Sequence, residues 1–166
     1  MSNKYTREKI KIPTSIKPRD RVRIAEVIID HIINRSAAGL DRNNKKFKKY
    51  SKEYAEKKGV GLSDVDLILS GEMLEELELV SHKNGEIVIG YKDPSDELAG
   101  KVEGNRIGSY GGEPRQSKAR DFLGLPMDEL EILISAYEND VDIGAREKDG
   151  GFNTTDILDE LLRNVL

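Results

Sequence analysis

Apolar residues recur at helical spacing in the stretch that follows Pro18. The positions separated by three or four residues are Val22, Ala25, Ile28, Ile29, Ile32 and Ile33. Proline at the first helical position and glycine just beyond the last turn mark the ends of many helices, and Gly39 occupies the second position. We therefore predict a long amphipathic helix over residues 18–38, whose many β-branched residues need a sheet to pack against.

A second pattern, strict alternation, appears between residues 77 and 91. Leu77 and Leu79 alternate with polar residues before an Asn-Gly pair, and Ile87, Ile89 and Tyr91 alternate after it. Asn-Gly between two alternating runs is a strong signal for a two-residue hairpin turn. These residues predict an antiparallel hairpin, which we expect to form part of a β-meander.

The other segments give shorter signals. Residues 1–17 contain Ile10 and Ile12 and are interrupted by Pro13, which favours an extended arm or a short edge strand. Residues 65–69 predict a strand or extended run, residues 72–77 a brief helix, and residues 95–105 a helix followed by a glycine-rich loop. Pro126 begins another helix, and a last amphipathic helix runs from residue 154 to residue 165. The expected buried face of the Pro126 helix comprises Leu130, Ile132, Leu133, Ile134 and Tyr137.

Together these elements predict one α+β domain over residues 1–166. An antiparallel β-meander packs against the long N-terminal helix, with C-terminal helices and extended loops around it. We expect residues 1–17 to form an extended arm, residues 18–138 the core, and residues 139–166 a loop with the C-terminal helix. A chain of 166 residues is long enough to bury a single core of this kind.

The amino-acid composition limits the kinds of functional site that the chain could form. The chain has no cysteine, which excludes disulfides, thiolate nucleophiles and cysteine-ligated metal sites. It has two histidines, His31 and His82, far apart in sequence, and no nucleophile elbow or phosphate-binding glycine motif. We therefore expect no catalytic residues, no metal and no cofactor. Because no long apolar run occurs and the first residues are polar, we also expect neither membrane insertion nor a signal peptide.

Charge is divided unevenly along the sequence. Residues 1–58 hold 17 Lys/Arg against 7 Asp/Glu, a net charge of +10, and the remainder carries −14. One interpretation is a basic face for nucleic acid. Another is a pair of complementary patches that join identical subunits head to tail. The third is mutual neutralisation within one fold.

The basic segment at residues 40–58 contains seven lysines interleaved with Phe47, Tyr50 and Tyr54. Such a pattern can bind single-stranded nucleic acid through phosphate contacts and stacking. Alternatively, the three rings form the buried stripe of a short helix with solvated lysines around it. Ser51 and Gly59 at suitable positions for helix ends favour the second interpretation.

The order of motifs resembles that of a known family. A segment of the form F-x-x-Y-S-x-x-Y-x-x-x-K is followed by an L-S-G-x-M turn, the hairpin, a glycine-bearing loop and an R-x-F-L-G segment. The matching positions are Phe47, Tyr50, Ser51, Tyr54, Lys58, Leu69, Ser70, Gly71, Met73, Arg120, Phe122, Leu123 and Gly124. Over residues 20–138 the chain resembles the tail-completion, or virion morphogenesis, proteins of tailed bacteriophages.

The resemblance implies a structural virion protein without enzymatic activity, assembled in the host cytoplasm. It would close into a homo-oligomeric ring, expected to be a hexamer, at the neck or the head-proximal end of the tail. Its partners would be tail-tube, tail-terminator or connector proteins, and DNA would pass through without being bound tightly. The expected subunit-interface residues are Phe47, Lys48, Lys49, Tyr50, Tyr54, Arg120, Phe122 and Leu123. The alternative is a small nucleic-acid-binding module that uses the basic N-terminal third.

Overall fold

The computed structural model describes residues 4–61, 72–83, 85–109, 113–114 and 119–139. In chain order the elements are β1 (Arg7–Lys11), α1 (Pro18–Ala37), α2 (Lys52–Lys58), α3 (Glu72–Glu75), β2 (Glu78–Ser81), β3 (Glu86–Gly90), α4 (Asp96–Ile107) and α5 (Met127–Glu138). The protein is thus a mixed α/β fold with a small antiparallel sheet. The strand predicted at residues 65–69, the turn at residues 69–71 and the C-terminal helix lie outside the described residues.

Helix α1 confirms the strongest sequence pattern. It begins at Pro18, and its stripe of Ile24, Ala25, Val27, Ile28 and Ile32 is completely buried. Beyond its last residue the backbone turns at Gly39, whose φ is +82°. The Gly39 N–H donates to the Ser36 carbonyl and the Leu40 N–H to the Arg35 carbonyl, the paired bonds of a Schellman motif.

The three strands form an antiparallel sheet with the order β1-β3-β2. The predicted hairpin is confirmed as β2 and β3. The predicted meander is confirmed only in part, because the sheet is antiparallel but β1 pairs with β3 and not with β2. The N-terminal segment predicted as an arm or edge strand supplies β1. Its register places Ile10 opposite Ile87, so the apolar side chains of both strands share one face of the sheet.

The core lies between that face of the sheet and the helices. Helix α1 packs against β2 and β3, and α5 packs against α1. The alternating residues that predicted the hairpin are buried, because Ile87, Ile89 and Tyr91 are 0%, 0% and 2% exposed, and Val88 between them is also buried. The Tyr91 hydroxyl donates to the Met73 carbonyl and thereby joins α3 to the end of β3. The hydrophobic content is mostly aliphatic, as the composition indicates.

Helix α4 has the predicted start but extends further than expected. The Ser95 side chain accepts a hydrogen bond from the Leu98 N–H, as an N-cap residue does, and Gly108 ends the helix with a φ of +71°. The loop predicted after residue 105 therefore begins after Ile107. Gly104 is buried within the helix, so its small size serves packing and not a turn. No helix in the described part of the chain is long and apolar enough to cross a membrane.

Candidate assembly surface

The basic segment after α1 is mostly extended. Phe47 and Tyr50 precede helix α2, whose N-cap residue Ser51 has an extended backbone and accepts a hydrogen bond from the Tyr54 N–H. An N-cap residue ends helical geometry on its N-terminal side. The prediction of one helical stripe through Phe47, Tyr50 and Tyr54 is therefore wrong, although Ser51 and Gly59 do delimit a short helix.

Arg120 joins this segment to the distant R-x-F-L-G segment. Its Nε and Nη2 each donate to a backbone carbonyl oxygen, that of Lys48 and that of Lys49 respectively, both at 2.8 Å. The guanidinium carbon also lies 5.1 Å from the ring centroid of Tyr50. Arg120 is 9% exposed, so these charge-assisted bonds are shielded from water and hold the extended segment in one position.

Tyr50 is the centre of a small aromatic and cationic cluster. Its hydroxyl accepts a hydrogen bond of 2.9 Å from Lys58 Nζ, which also lies 5.0 Å from the centre of the ring. The ring of Tyr54 packs against it at a centroid distance of 4.8 Å and an angle of 59°. Tyr50 is only 8% exposed. Its ring is therefore engaged within the protein and is not an open platform for stacking.

The structure brings the eight expected interface residues close together but buries most of them. Phe47, Tyr50 and Arg120 are below 10% exposed, and Phe122 and Leu123 have no exposed surface. Only Lys48, Lys49 and Tyr54 are exposed, Tyr54 by 38%. In this conformation a partner can therefore contact those three residues, while the buried ones position the backbone beneath them.

Beside this junction lies a network of two arginines and two carboxylates that the sequence did not reveal. Arg106 donates from Nη2 to Glu8 Oε2 and from Nε to Asp121 Oδ1, each at 2.8 Å. Arg42 contacts the other oxygens of the same carboxylates, at 3.0 Å to Glu8 and 3.4 Å to Asp121. Two positive and two negative charges thus alternate around a closed square and neutralise one another.

Burial and pairing act on Arg106 in opposite directions. Burial alone would lower the pKa of its guanidinium, but its hydrogen bonds to the carboxylates of Asp121 and Glu8 and their charges outweigh that effect and raise the pKa. Arg106 therefore stays charged within the network. The sequence contained one signal for this network. Glu8 alternates with Ile10 and Ile12 and so belongs to the core face of the edge strand.

Gly124 makes room for Arg42 in this network. Its φ is +136°, a conformation that side chains disfavour, and a Cβ placed there would lie 2.7 Å from Arg42 Nη2. The glycine of the R-x-F-L-G segment is therefore explained by local geometry.

A second polar cluster joins α1 to α5 around the buried carboxylate of Glu129. Asn44 Nδ2 donates to its Oε1 at 2.6 Å, and His31 Nε2 lies 3.4 Å from Oε2 without the alignment of a hydrogen bond. Burial alone would raise the pKa of Glu129, but the contacts with His31 and Asn44 and the electrostatic interactions with His31 and Arg35 outweigh burial and lower it. Sequence analysis identified Glu129 only as an acidic residue in the first turn.

Arg35 is the remaining buried charge, at 4% exposed. Its Nη2 donates to the Phe122 carbonyl oxygen at 2.5 Å, and burial lowers its pKa to about 10. It lies three residues after Ile32 and seven after Ile28, on the apolar stripe of α1. A cation in that position was a signal for a buried polar contact, and the contact is again with the R-x-F-L-G segment.

Among the described residues, no group of three histidine, aspartate or glutamate side chains converges as metal ligands would. Comparisons of the chain with protein-family models, with curated proteins and with solved structures found no match.

Proposed function

We propose that this chain is a structural virion protein of a tailed bacteriophage. In this proposal, copies of the chain form a ring, expected to contain six subunits, at the neck or head-proximal end of the tail. The ring completes the tail or joins it to the capsid connector. The protein would act without a cofactor and without enzymatic chemistry, and it would let DNA pass through the ring.

The observation that carries the proposal is the contact between the two motif segments. The resemblance depends on the F-x-x-Y-S-x-x-Y and R-x-F-L-G segments, and Arg120 of the second binds the backbone of the first at Lys48 and Lys49. The side chains of both lysines are exposed, as is Tyr54, whose ring packs against that of Tyr50. An exposed aromatic residue next to cations on a fixed backbone is a suitable contact for an acidic surface of a neighbouring subunit.

The same geometry weighs against the alternative, a nucleic-acid-binding module. Stacking proteins offer aromatic faces to successive bases. Here Phe47 and Tyr50 are 6% and 8% exposed, so of the three interleaved rings only Tyr54 could serve that purpose. The exposed lysines of this segment remain available for phosphate contacts. The experiment described below therefore also measures the binding of DNA.

The test measures the assembly state of the purified full chain by native mass spectrometry and negative-stain electron microscopy. We expect rings for the wild-type chain and loss of rings for the double variant Lys48→Glu/Lys49→Glu. The matched control is Lys17→Glu/Arg19→Glu, which makes the same charge change at exposed residues beside the start of α1 and should leave assembly unchanged.

Two results would contradict the proposal. One is a chain that stays monomeric at high concentration and has no affinity for tail or connector proteins. The other is tight binding of single-stranded DNA with a steep dependence on salt, abolished in the Lys48→Glu/Lys49→Glu variant, which would favour the nucleic-acid-binding module.

A further inference from the structure

The outer edge of β1 presents backbone groups at every second residue. The Ile12 N–H donates to the Gly85 carbonyl, and the Tyr91 N–H donates to the Thr6 carbonyl. In an antiparallel pair this pattern alternates, so the even-numbered residues of β1 bond to β3 and the odd-numbered residues point away. The outward groups belong to Arg7, Lys9 and Lys11.

One end of this edge is already occupied by a side chain. Arg106 Nη1 donates to the carbonyl oxygens of Tyr5 and Arg7, at 3.0 and 3.4 Å. At the other end, Pro13 is also odd-numbered, so its backbone would face outward, but proline has no N–H group that could be left unpaired. Between these limits, no backbone group in the described part of the chain pairs with the outward N–H and C=O groups of Lys9 and Lys11.

Side chains around this free stretch define what could pair with it. The Lys9 and Lys11 side chains are exposed on the face of the sheet away from the core, while Ile10 between them is buried on the core face. A strand added here would need acidic residues opposite the two lysines and an apolar residue opposite Ile10. The required pattern is acidic, apolar, acidic over three consecutive residues.

The chain contains that pattern four times, and two of the copies are engaged in the fold, because Glu76-Leu77-Glu78 leads into β2 and Glu129-Leu130-Glu131 lies in α5. Residues 64–66 read Asp-Val-Asp, and Leu67 and Leu69 continue the apolar alternation. The second Asp-Val-Asp, at residues 140–142, meets Gly144 two positions later, which weakens a strand. We infer that the Lys9–Lys11 edge of β1 accepts residues 62–69 of a second copy of this chain as an added β-strand. The inference rests on the proposed self-assembly and identifies the contact through which two copies of the chain would join.

The test uses amide hydrogen exchange of the full chain, followed by NMR at a dilution where any rings have dissociated, so that no neighbouring copy occupies the β1 edge before the probe is added. The probe is a blocked peptide with the sequence of residues 62–69, and the control peptide has Val65 and Asp66 exchanged, which preserves charge and composition but breaks the alternation. With the probe, exchange at the Lys9 and Lys11 amides should slow by about tenfold or more. The Glu8 and Ile10 amides, which bond to β3, should be slow throughout and report an intact sheet.

The double variant Lys9→Glu/Lys11→Glu should lose this protection while its Ile10 amide stays slow. Rapid exchange at Lys9 and Lys11 with saturating probe, or equal protection by the control peptide, would overturn the inference. Rings whose Lys9 and Lys11 amides exchange rapidly would overturn it and leave the proposed function standing. A chain that never forms rings but is protected by the probe would support the edge contact and contradict the proposed function.

Discussion

The guanidinium of Arg120 lies over the ring of Tyr50, with 5.1 Å between the guanidinium carbon and the ring centroid. Two segments far apart in sequence meet at this point. The same guanidinium donates to the carbonyls of Lys48 and Lys49, so one buried cation fixes both the aromatic ring and the backbone immediately before it. This geometry requires the planar fork of arginine.

The first prediction concerns that fork. Arg120→Lys keeps the charge but cannot donate to both carbonyls in the same plane, and we expect it to lower the free energy of unfolding by about 2 kcal/mol. Arg120→Ala also leaves the carbonyls without their donor and should cost about 3 kcal/mol. Urea denaturation followed by circular dichroism measures both values.

Arg19 provides the control, because it is exposed near the start of α1. Arg19→Ala should change stability by less than about 0.5 kcal/mol. The prediction would be contradicted if Arg120→Lys were as stable as the wild-type chain. A single positive charge at residue 120 would then be sufficient, and the bonds to two carbonyls would not contribute to stability.

The second prediction compares two glycines. Gly124→Ala places a methyl group where Arg42 lies and forces an unfavourable φ, so we expect a loss of about 2–3 kcal/mol. Gly100 lies within α4, and a Cβ there would meet nothing within 4 Å. Gly100→Ala should therefore raise stability by about 0.5–1 kcal/mol.

Thermal denaturation of the two variants separates these effects directly. Equal losses at both positions would mean that the Arg42 contact has no special role. In an Arg42→Ala background the loss caused by Gly124→Ala should be smaller than in the wild-type chain, because the side chain that the new methyl group meets is no longer there.

The third prediction concerns pH and Glu129. The pKa of this carboxyl lies below its ordinary value of 4.5 in the folded chain, so the folded state binds its proton less readily than the unfolded state does. The stability that it contributes is complete above pH 4.5 and disappears as the pH falls through the folded-state pKa. The stability difference between the wild-type chain and Glu129→Gln should therefore shrink as the pH falls from about 5 to about 3.

Urea denaturation at a series of pH values measures this difference. In a His31→Gln background the pH dependence should weaken, because contact with His31 is the largest of the effects that lower the pKa of Glu129. A difference that stays constant over the whole range would show that Glu129 has the same proton affinity in the folded and unfolded chains.

Much of the fold could be predicted from local signals. The periodicity of α1, the alternation in β2 and β3, the ends of the short helix at Ser51 and Gly59, and the start of a helix at Ser95 are confirmed. The place of β1 beyond β3 could not be predicted, because strand order depends on which edge of the hairpin the N-terminal segment pairs with. The alternation of apolar and polar residues within a strand indicates which of its faces is buried, but it does not indicate which strands it pairs with.

The candidate surface was predicted less completely. The sequence identified Arg120, Tyr50 and the lysines, but not that Arg120 binds backbone carbonyls or that Phe122 and Leu123 are fully buried. The charged square was missed because only Glu8, on the core face of the edge strand, gives a signal, while its other three members have the sequence context of ordinary surface charges. Charges at a distance in sequence become partners only when the fold brings them together.

The closed square of charges also bears on how the chain folds. Glu8 and Arg106 are 98 residues apart and Arg42 and Asp121 are 79 apart, so the square can close only after both ends of the domain have met. Contacts with such long sequence separation form late, after most of the loop entropy has been lost. The charged square should consequently stabilise the folded state without stabilising the transition state for folding. It should slow unfolding and leave the folding rate nearly unchanged.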